Sequence, residues 1–183
     1  MYLQVEITSR CNLKCKMCPL TLGTTASSAS AGLIEDADWE QVKRLSITAG
    51  RIMLVGFGEP MTHPRFVGML GELDKLGVEI SFSTNGIGAE LIAPRLATLK
   101  HLRHVNISID SPDPKIYEDI RGGDLSRALT GMRAIATAVP DRDCDGQQRR
   151  NETERAQSQR ISSDSTRRRR TFLCAEWTSR LRP

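Results

Sequence analysis

Short strand-like runs of apolar residues recur along the first 140 residues, and a helical pattern follows each run. The first run, Leu3 to Thr8, alternates over Leu3–Ile7 as a half-buried strand does. A continuous apolar run at 52–55 is typical of a buried parallel strand, and further strand-like runs occupy 78–83 and 105–110. Strands that alternate with helices predict an α/β fold of about four parallel strand–helix units, wound right-handedly as an open sheet or as part of a barrel.

Apolar residues at helical spacing predict the helices between the strands. Asp38 and Gln41 form a capping-box pattern, which predicts the start of the first long helix. Its predicted buried stripe consists of Trp39, Val42 and Leu45. The next helix is predicted to begin near Pro64, with Leu76 in its stripe. Further helices are predicted over 89–99, 114–120 and 125–139.

The size and composition are those of an ordinary soluble domain. The chain has 183 residues, of which 39% are hydrophobic and 26% charged, enough for one domain with a core. It contains no run of about 18 apolar residues, so we expect no contact with a membrane. The strand pattern begins directly after Met1, so we expect no targeting peptide and a reduced, cytoplasmic setting.

The charge is distributed unevenly and divides the chain near Pro140. Residues 1–140 hold 15 basic and 15 acidic residues, whereas residues 141–183 hold 11 Arg, no Lys and 7 acidic residues. The balanced first segment argues against a nucleic-acid-binding core. We predict a folded core over 1–140 and a tail over 141–183 that is disordered or foreign to this fold. A basic RNA-binding arm is the alternative, but the tail lacks interleaved aromatic residues.

Three cysteines, Cys11, Cys15 and Cys18, follow the first strand within eight residues. This spacing fits a loop that turns its sulfurs toward a common centre, and thiolates are the ligands that iron–sulfur clusters and zinc prefer. A [4Fe–4S] cluster usually takes four cysteines. Here Cys144 and Cys174 are far away in the sequence, so three ligands would leave one iron open to a group from outside the protein.

Two other roles for these cysteines, a structural zinc site and a disulfide framework, fit the sequence less well. A structural zinc site needs four closed ligands, but the chain has one C-x2-C pair, and His63, His101 and His104 lie at unsuitable spacings. A disulfide framework is disfavoured because the cysteine count of five is odd. The spacing therefore favours a cluster loop.

Unusual residues also follow the other three strands, where the ligands of parallel α/β folds bind. The second strand ends in Gly56-Phe-Gly-Glu-Pro60 and the third in Ser83-Thr-Asn-Gly86. The fourth ends in Ser108-Ile-Asp110, with both polar residues predicted on one face of the strand. Taken singly, each motif could be a turn or a helix cap. Their common place beside the cysteines indicates a site.

Together these motifs resemble the radical S-adenosylmethionine (radical SAM) superfamily over about residues 2–139. The C-x3-C-x2-C loop after the first strand is the signature of that superfamily. Gly56 to Pro60 resembles its GGEP motif with Phe57 in place of one glycine, and His63-Pro64 is a frequent companion. The resemblance implies a partial (βα) barrel of the radical SAM type.

The resemblance also implies cofactors and roles. Cys11, Cys15 and Cys18 would bind a [4Fe–4S] cluster, and SAM would bind the fourth iron. The residues implied to contact SAM are Met17, Gly58, Glu59, Asn85, Ser108, Asp110 and Arg121. The implied activity is reductive cleavage of SAM to a 5′-deoxyadenosyl radical, which abstracts hydrogen from an unknown peptide or small-molecule substrate. An electron donor such as flavodoxin or ferredoxin is implied as a partner.

The chain departs from the family pattern in length. The usual core has six strand–helix units, whereas four are predicted here, so we expect a C-terminally truncated core. Two hypotheses remain: a radical SAM enzyme, or an inactive fragment that binds a cluster or a metal.

The predicted boundary near Pro140 can be tested by limited proteolysis. A protease of broad specificity at low dose should remove residues beyond about 140 first, because disordered segments are cleaved most readily. Mass spectrometry of the fragments identifies the cuts. Protection of the tail over the same time course would contradict the prediction.

Overall fold

Four parallel strands form one sheet in the order β1-β2-β3-β4. The structure is a computed structural model that describes residues 2–24 and 32–139. Its strands are β1 (Leu3–Val5), β2 (Arg51–Leu54), β3 (Glu79–Thr84) and β4 (Leu102–Ile107). The predicted tail, with Cys144 and Cys174, lies outside the described residues. The parallel sheet confirms the α/β fold class and the four strand–helix units.

Six α-helices connect the strands or follow them within the described residues. They are α1 (Pro19–Leu22), α2 (Asp36–Ala49), α3 (Phe66–Lys75), α4 (Ala93–Leu96), α5 (Pro114–Arg121) and α6 (Leu125–Ala138). Short 3-10 helices lie at Pro60–Thr62 and Ala89–Leu91. In the part of the chain described here, every helix is too short or too polar to cross a membrane.

The main core lies between one face of the sheet and helices α2, α3, α4 and α6. Ile52 and Ile80 are paired across β2 and β3 and are buried with Phe82 on the same face of the sheet. The ring of Phe82 meets that of Phe66 edge-on, with the ring centroids 5.2 Å apart. Alternate residues of β3 are therefore buried, as the period of two in the sequence predicts.

The predicted start and stripe of α2 are partly wrong. The helix begins at Asp36 with Glu35 as its N-cap residue, so Asp38 lies in the first turn, where its charge favours the helix dipole. Leu45 is exposed. Ser46 takes its place on the buried face, and its hydroxyl donates to the carbonyl oxygen of Val42 at 2.7 Å.

Two other helix predictions need correction. The helix expected over 89–99 is split into the 3-10 turn and α4, because Pro94 has no N–H to continue an α-helical ladder. Leu76 is exposed because α3 ends at Lys75 and Leu76 is only its C-cap residue. Helix α1 was not predicted, although Pro19 at its first position and Gly23 at its end are typical helix signals.

Helix α6 packs closely on the turn that follows β3. Gly131 of α6 has no side chain, and a Cβ there would overlap the carbonyl oxygen of Gly86. The two backbones can therefore approach only because residue 131 is glycine. This contact fixes α6 against the end of the strand that carries Asn85.

We expect Gly131→Ala to lower the free energy of unfolding by about 1–3 kcal/mol, because the new methyl group overpacks this contact. Gly68→Ala in α3 is the matched control, since a Cβ at Gly68 meets nothing within 4 Å. The control should gain roughly 0.5–1 kcal/mol from the better helix propensity of alanine. Urea denaturation followed by circular dichroism measures both values, and similar gains for the two variants would contradict the close approach.

Candidate functional site

The three cysteines lie on the loop that leaves the carboxyl end of β1. All three are free thiols: Cys11 is exposed, Cys15 is 8% exposed, and Cys18 is intermediate. The Cys18 N–H donates to the carbonyl oxygen of Cys15 at 3.0 Å, and the Leu13 N–H donates to the Cys11 sulfur at 3.5 Å. The loop therefore places its thiols at the edge of the sheet where ligands bind in parallel folds.

The surroundings of Cys11 favour the neutral thiol. Desolvation by neighbouring groups raises its pKa, with smaller contributions from Glu59 and the other two cysteines, while the bond from the Leu13 N–H lowers it. A thiol must lose its proton to bind a metal, so binding at this loop would release protons.

The three thiols fit an iron–sulfur cluster better than a single metal ion. In the described part of the chain, no three His, Cys, Asp or Glu side chains are grouped so as to hold a single metal ion. A [4Fe–4S] cluster takes its cysteines on different irons, so its ligands need not meet at one ion. Three free thiols on one short loop fit that requirement and supply soft ligands.

Glu59 is the most buried charged residue of the site, with 3% of its surface exposed. One oxygen, Oε1, accepts from the Thr84 hydroxyl at 2.9 Å and from the Met61 N–H at 3.1 Å. The other, Oε2, accepts from the Asn85 N–H at 2.6 Å. Burial raises the pKa of Glu59, while these three hydrogen bonds lower it. A carboxylate accepts about four hydrogen bonds, so most of its capacity is used within the protein.

Asn85 carries this network on to the cysteine loop. Its side-chain Nδ2 donates to Asn12 Oδ1 at 2.6 Å, and its Oδ1 accepts from the Ile87 N–H at 2.9 Å. Asn12 follows Cys11 directly in the sequence. The end of β3 is therefore joined by hydrogen bonds both to Glu59 and to the loop that bears the thiols.

Gly58 brings the turn after β2 against the end of β1. A Cβ at Gly58 would overlap the carbonyl oxygen of Thr8, and the Glu59 N–H donates to the Arg10 carbonyl oxygen at 2.8 Å. The Glu6 carboxylate accepts from the Phe57 N–H at 2.6 Å and from the Gly58 N–H at 3.0 Å. The close approach that Gly58 permits is thus to the protein's own backbone, and a Cβ at Gly56 would overlap the Glu6 side chain.

Ser108 and Asp110 do not share a strand face as predicted, because β4 ends at Ile107 and both residues lie beyond it. The Ser108 N–H donates to the Thr84 carbonyl oxygen at 2.8 Å. Asp110 forms a two-pronged ion pair with Arg121: Oδ2 to Nε at 2.5 Å and Oδ1 to Nη2 at 3.1 Å. Arg121 Nη1 lies 4.0 Å from the sulfur of Cys15.

The structure therefore arranges the predicted site residues in two groups. Glu59 and Asn85 are joined directly, and Asp110 and Arg121 are joined beside Cys15. Among the described residues, the side chains of Met17 and Ser108 make no hydrogen bond to either group, and Met17 is 56% exposed.

Four residues that hold the site were missed by the sequence analysis. They are Glu6, Asn12, Thr84 and Tyr117. Asn12 and Thr84 lie inside motifs that had been singled out, so their position was a usable signal. Glu6 and Tyr117 carried no such signal, because neither an alternating strand nor a short helix identifies the distant residues that a side chain contacts.

Comparison with known proteins identifies sequences and folds similar to this chain. Residues 5–144 match the family model of the Radical SAM superfamily. GTP 3',8-cyclase of Caulobacter vibrioides is 31% identical over 144 residues, which are 75% of this chain and 40% of that protein. GTP 3',8-cyclase of Alkaliphilus oremlandii is 34% identical over 139 residues, which are 72% of this chain and 42% of that protein. The chain thus spans about 40% of the length of these relatives.

Solved structures share the fold at low sequence identity. Streptococcus suis SuiB bound to S-adenosylmethionine has a TM-score of 0.62 and 21% identity, covering 75% of this chain and 31% of that chain. BtrN in complex with AdoMet and 2-DOIA has a TM-score of 0.52 and 19% identity, covering 61% of this chain and 46% of that chain. These likenesses confirm the partial barrel type of fold.

We expect Glu59→Gln to lower the free energy of unfolding by about 1–3 kcal/mol, because its amide NH2 must face the N–H of either Asn85 or Met61 and leave a buried donor without an acceptor. Glu90→Gln is the matched control, since Glu90 is exposed. Denaturant unfolding measures the difference. Equal stability of the two variants would show that the Glu59 network does not hold these elements together.

Proposed function

The chain belongs to the radical SAM superfamily, and on that premise we propose that it binds a [4Fe–4S] cluster and SAM and cleaves SAM reductively. The observation that carries the proposal is the loop of three free thiols at the carboxyl end of a parallel sheet. Cys11, Cys15 and Cys18 would hold the cluster. When both cofactors are bound, they supply one-electron cleavage of SAM to methionine and a 5′-deoxyadenosyl radical for hydrogen abstraction.

The protein's own contribution is to hold and shield this site. Cys15 is nearly buried, in a cluster with Leu13, Ile87 and Tyr117, so these side chains would exclude water from one side of the cofactors. Glu59 and Asn85 would fix the strand ends in place beside the loop.

The residues proposed to contact SAM differ in their exposure and in the hydrogen-bonding capacity that they have left. Glu59 has about one acceptor position left for an ammonium group. Gly58 would act through its backbone, and the half-exposed thioether of Met17 is accessible to an adenine ring. Asn85, Ser108 and Asp110 complete the proposed set around the ribose and methionyl portions.

The substrate class to test first is a purine nucleoside triphosphate, because the similar proteins of Caulobacter vibrioides and Alkaliphilus oremlandii are GTP 3',8-cyclases. The other candidates are a peptide and a small metabolite. A flavodoxin or a ferredoxin would supply the electron. A second candidate function is cluster or metal binding without catalysis. It is favoured by the engagement of Glu59 with Asn85 and of Asp110 with Arg121, which uses groups that SAM would otherwise bind.

Anaerobic reconstitution with iron and sulfide should give about four irons per chain. Cys15→Ala should abolish iron binding because it removes a cluster ligand. Cys144→Ala and Cys174→Ala are the matched controls, since both cysteines lie outside the C-x3-C-x2-C loop. Iron analysis and the visible absorption spectrum report the outcome, and loss of iron on changing Cys144 would contradict the ligand assignment.

Activity distinguishes the two candidate functions. The reconstituted chain, given SAM and a strong reductant, should release 5′-deoxyadenosine, which chromatography detects, and Cys15→Ala should release none. A full complement of iron without any 5′-deoxyadenosine would favour the non-catalytic function.

A further inference from the structure

We propose that helix α5 sets the reduction potential of the cluster through Arg121 and Tyr117, which donate hydrogen bonds to the sulfur of Cys15 or to the cluster atoms beside it. This inference rests on the proposed function, because it requires a cluster on the cysteine loop. It assigns Arg121 to the cluster, whereas the family resemblance had placed that residue at SAM. It also gives a role to Tyr117, which the sequence analysis did not single out.

The end of α5 is fitted to the cysteine loop through the backbone. The Lys16 N–H donates to the Ile120 carbonyl oxygen at 3.0 Å, and the Lys16 ammonium pairs with Asp119. A Cβ at Gly122 would lie 3.1 Å from the Lys14 carbonyl oxygen, and one at Gly123 would lie 2.5 Å from a methyl carbon of Leu13. Loop and helix end are therefore in contact from residue 13 to residue 16.

Arg121 reaches the middle cysteine of this loop. Its Nη1 lies 4.0 Å from the Cys15 sulfur, while its Nε and Nη2 donate hydrogen bonds to the Asp110 carboxylate. A bidentate ion pair of this kind fixes the plane of the guanidinium. Because the Asp110 charge balances that of Arg121, the pair acts on the sulfur mainly as a dipole, with its positive end toward Cys15.

Tyr117 lies one helical turn before Arg121, so both side chains share a face of α5. It is fully buried, in the same cluster as Leu13 and Cys15. Its hydroxyl has no hydrogen-bond partner among the described residues. A buried hydroxyl without a partner destabilises the folded protein, and a sulfur of the cluster or of Cys15 would supply the missing acceptor.

Such donors change the potential in a defined direction. Reduction adds negative charge to the cluster, and a nearby positive dipole or hydrogen-bond donor stabilises the more negative state. Hydrogen bonds to the sulfurs are among the groups that set the potentials of iron–sulfur clusters. Removal of either donor should therefore make the cluster harder to reduce.

The experiment is a redox titration of the reconstituted full chain without SAM, followed by electron paramagnetic resonance. We expect Arg121→Gln to lower the ratio of reduced to oxidised cluster at a fixed potential about tenfold, which for one electron is about 59 mV. Tyr117→Phe should shift the potential in the same direction. Asp110→Asn should shift it in the opposite direction, because the charge of Arg121 is then no longer balanced.

Tyr2→Phe is the matched control, since Tyr2 is exposed and its hydroxyl pairs with the Gln4 side chain. Its potential should equal that of the unmodified chain. Unchanged potentials in Arg121→Gln and Tyr117→Phe, with iron content intact, would overturn the inference and leave the proposed function standing. A shift of the same sign in Arg121→Gln and Asp110→Asn would also overturn it, because both would then act by loosening the site.

Iron content separates the remaining outcomes. Loss of iron from Arg121→Gln but not from Tyr2→Phe would make Arg121 a support for the loop and overturn its tuning role. Failure of the unmodified chain to assemble a cluster would overturn the proposed function, and this inference with it.

Discussion

The Glu59 carboxylate lies where water scarcely reaches, so it must find hydrogen-bond donors within the protein. It finds them on Met61 in its own turn and on Thr84 and Asn85 at the end of β3. These bonds join the ends of two neighbouring strands, and Asn85 extends the connection to Asn12 in the cysteine loop. A buried charge that lost one of these donors would destabilise the whole arrangement, since the donors come from separate elements.

The cysteine loop is held from two sides. Asn85 contacts it from the sheet, and α5 contacts it through Ile120 and Lys16. A loop held from two sides loses little further freedom when a ligand binds, and this lowers the entropic cost of ordering the site. The same arrangement leaves Cys11 exposed while Cys15 is nearly buried, so the three sulfurs lie in different environments.

The order of strands and helices followed from periodicity, because the alternation in β3 and the stripe of α3 reflect burial on one face. The three cysteines were found because their spacing is local. Pairings between distant residues were not predictable: Glu59 meets Asn85 across 26 positions, and Asn85 meets Asn12 across 73. The split at Pro94 had a local cause and could have been predicted, whereas the exposure of Leu45 depends on how α2 is rotated against the sheet.

Residues that the resemblance implied as SAM contacts are in large part engaged with one another. Glu59 binds Asn85, and Asp110 binds Arg121. A residue in a ligand motif can therefore act by fixing the backbone and the charges around the ligand as well as by touching it. Among the described residues, Asn85, Ile120 and Gly123 contact the cysteine loop, whereas the relatives are about two and a half times as long as the segment they share with this chain. Assembly of the loop and recognition of a substrate are therefore separate requirements that can be tested separately.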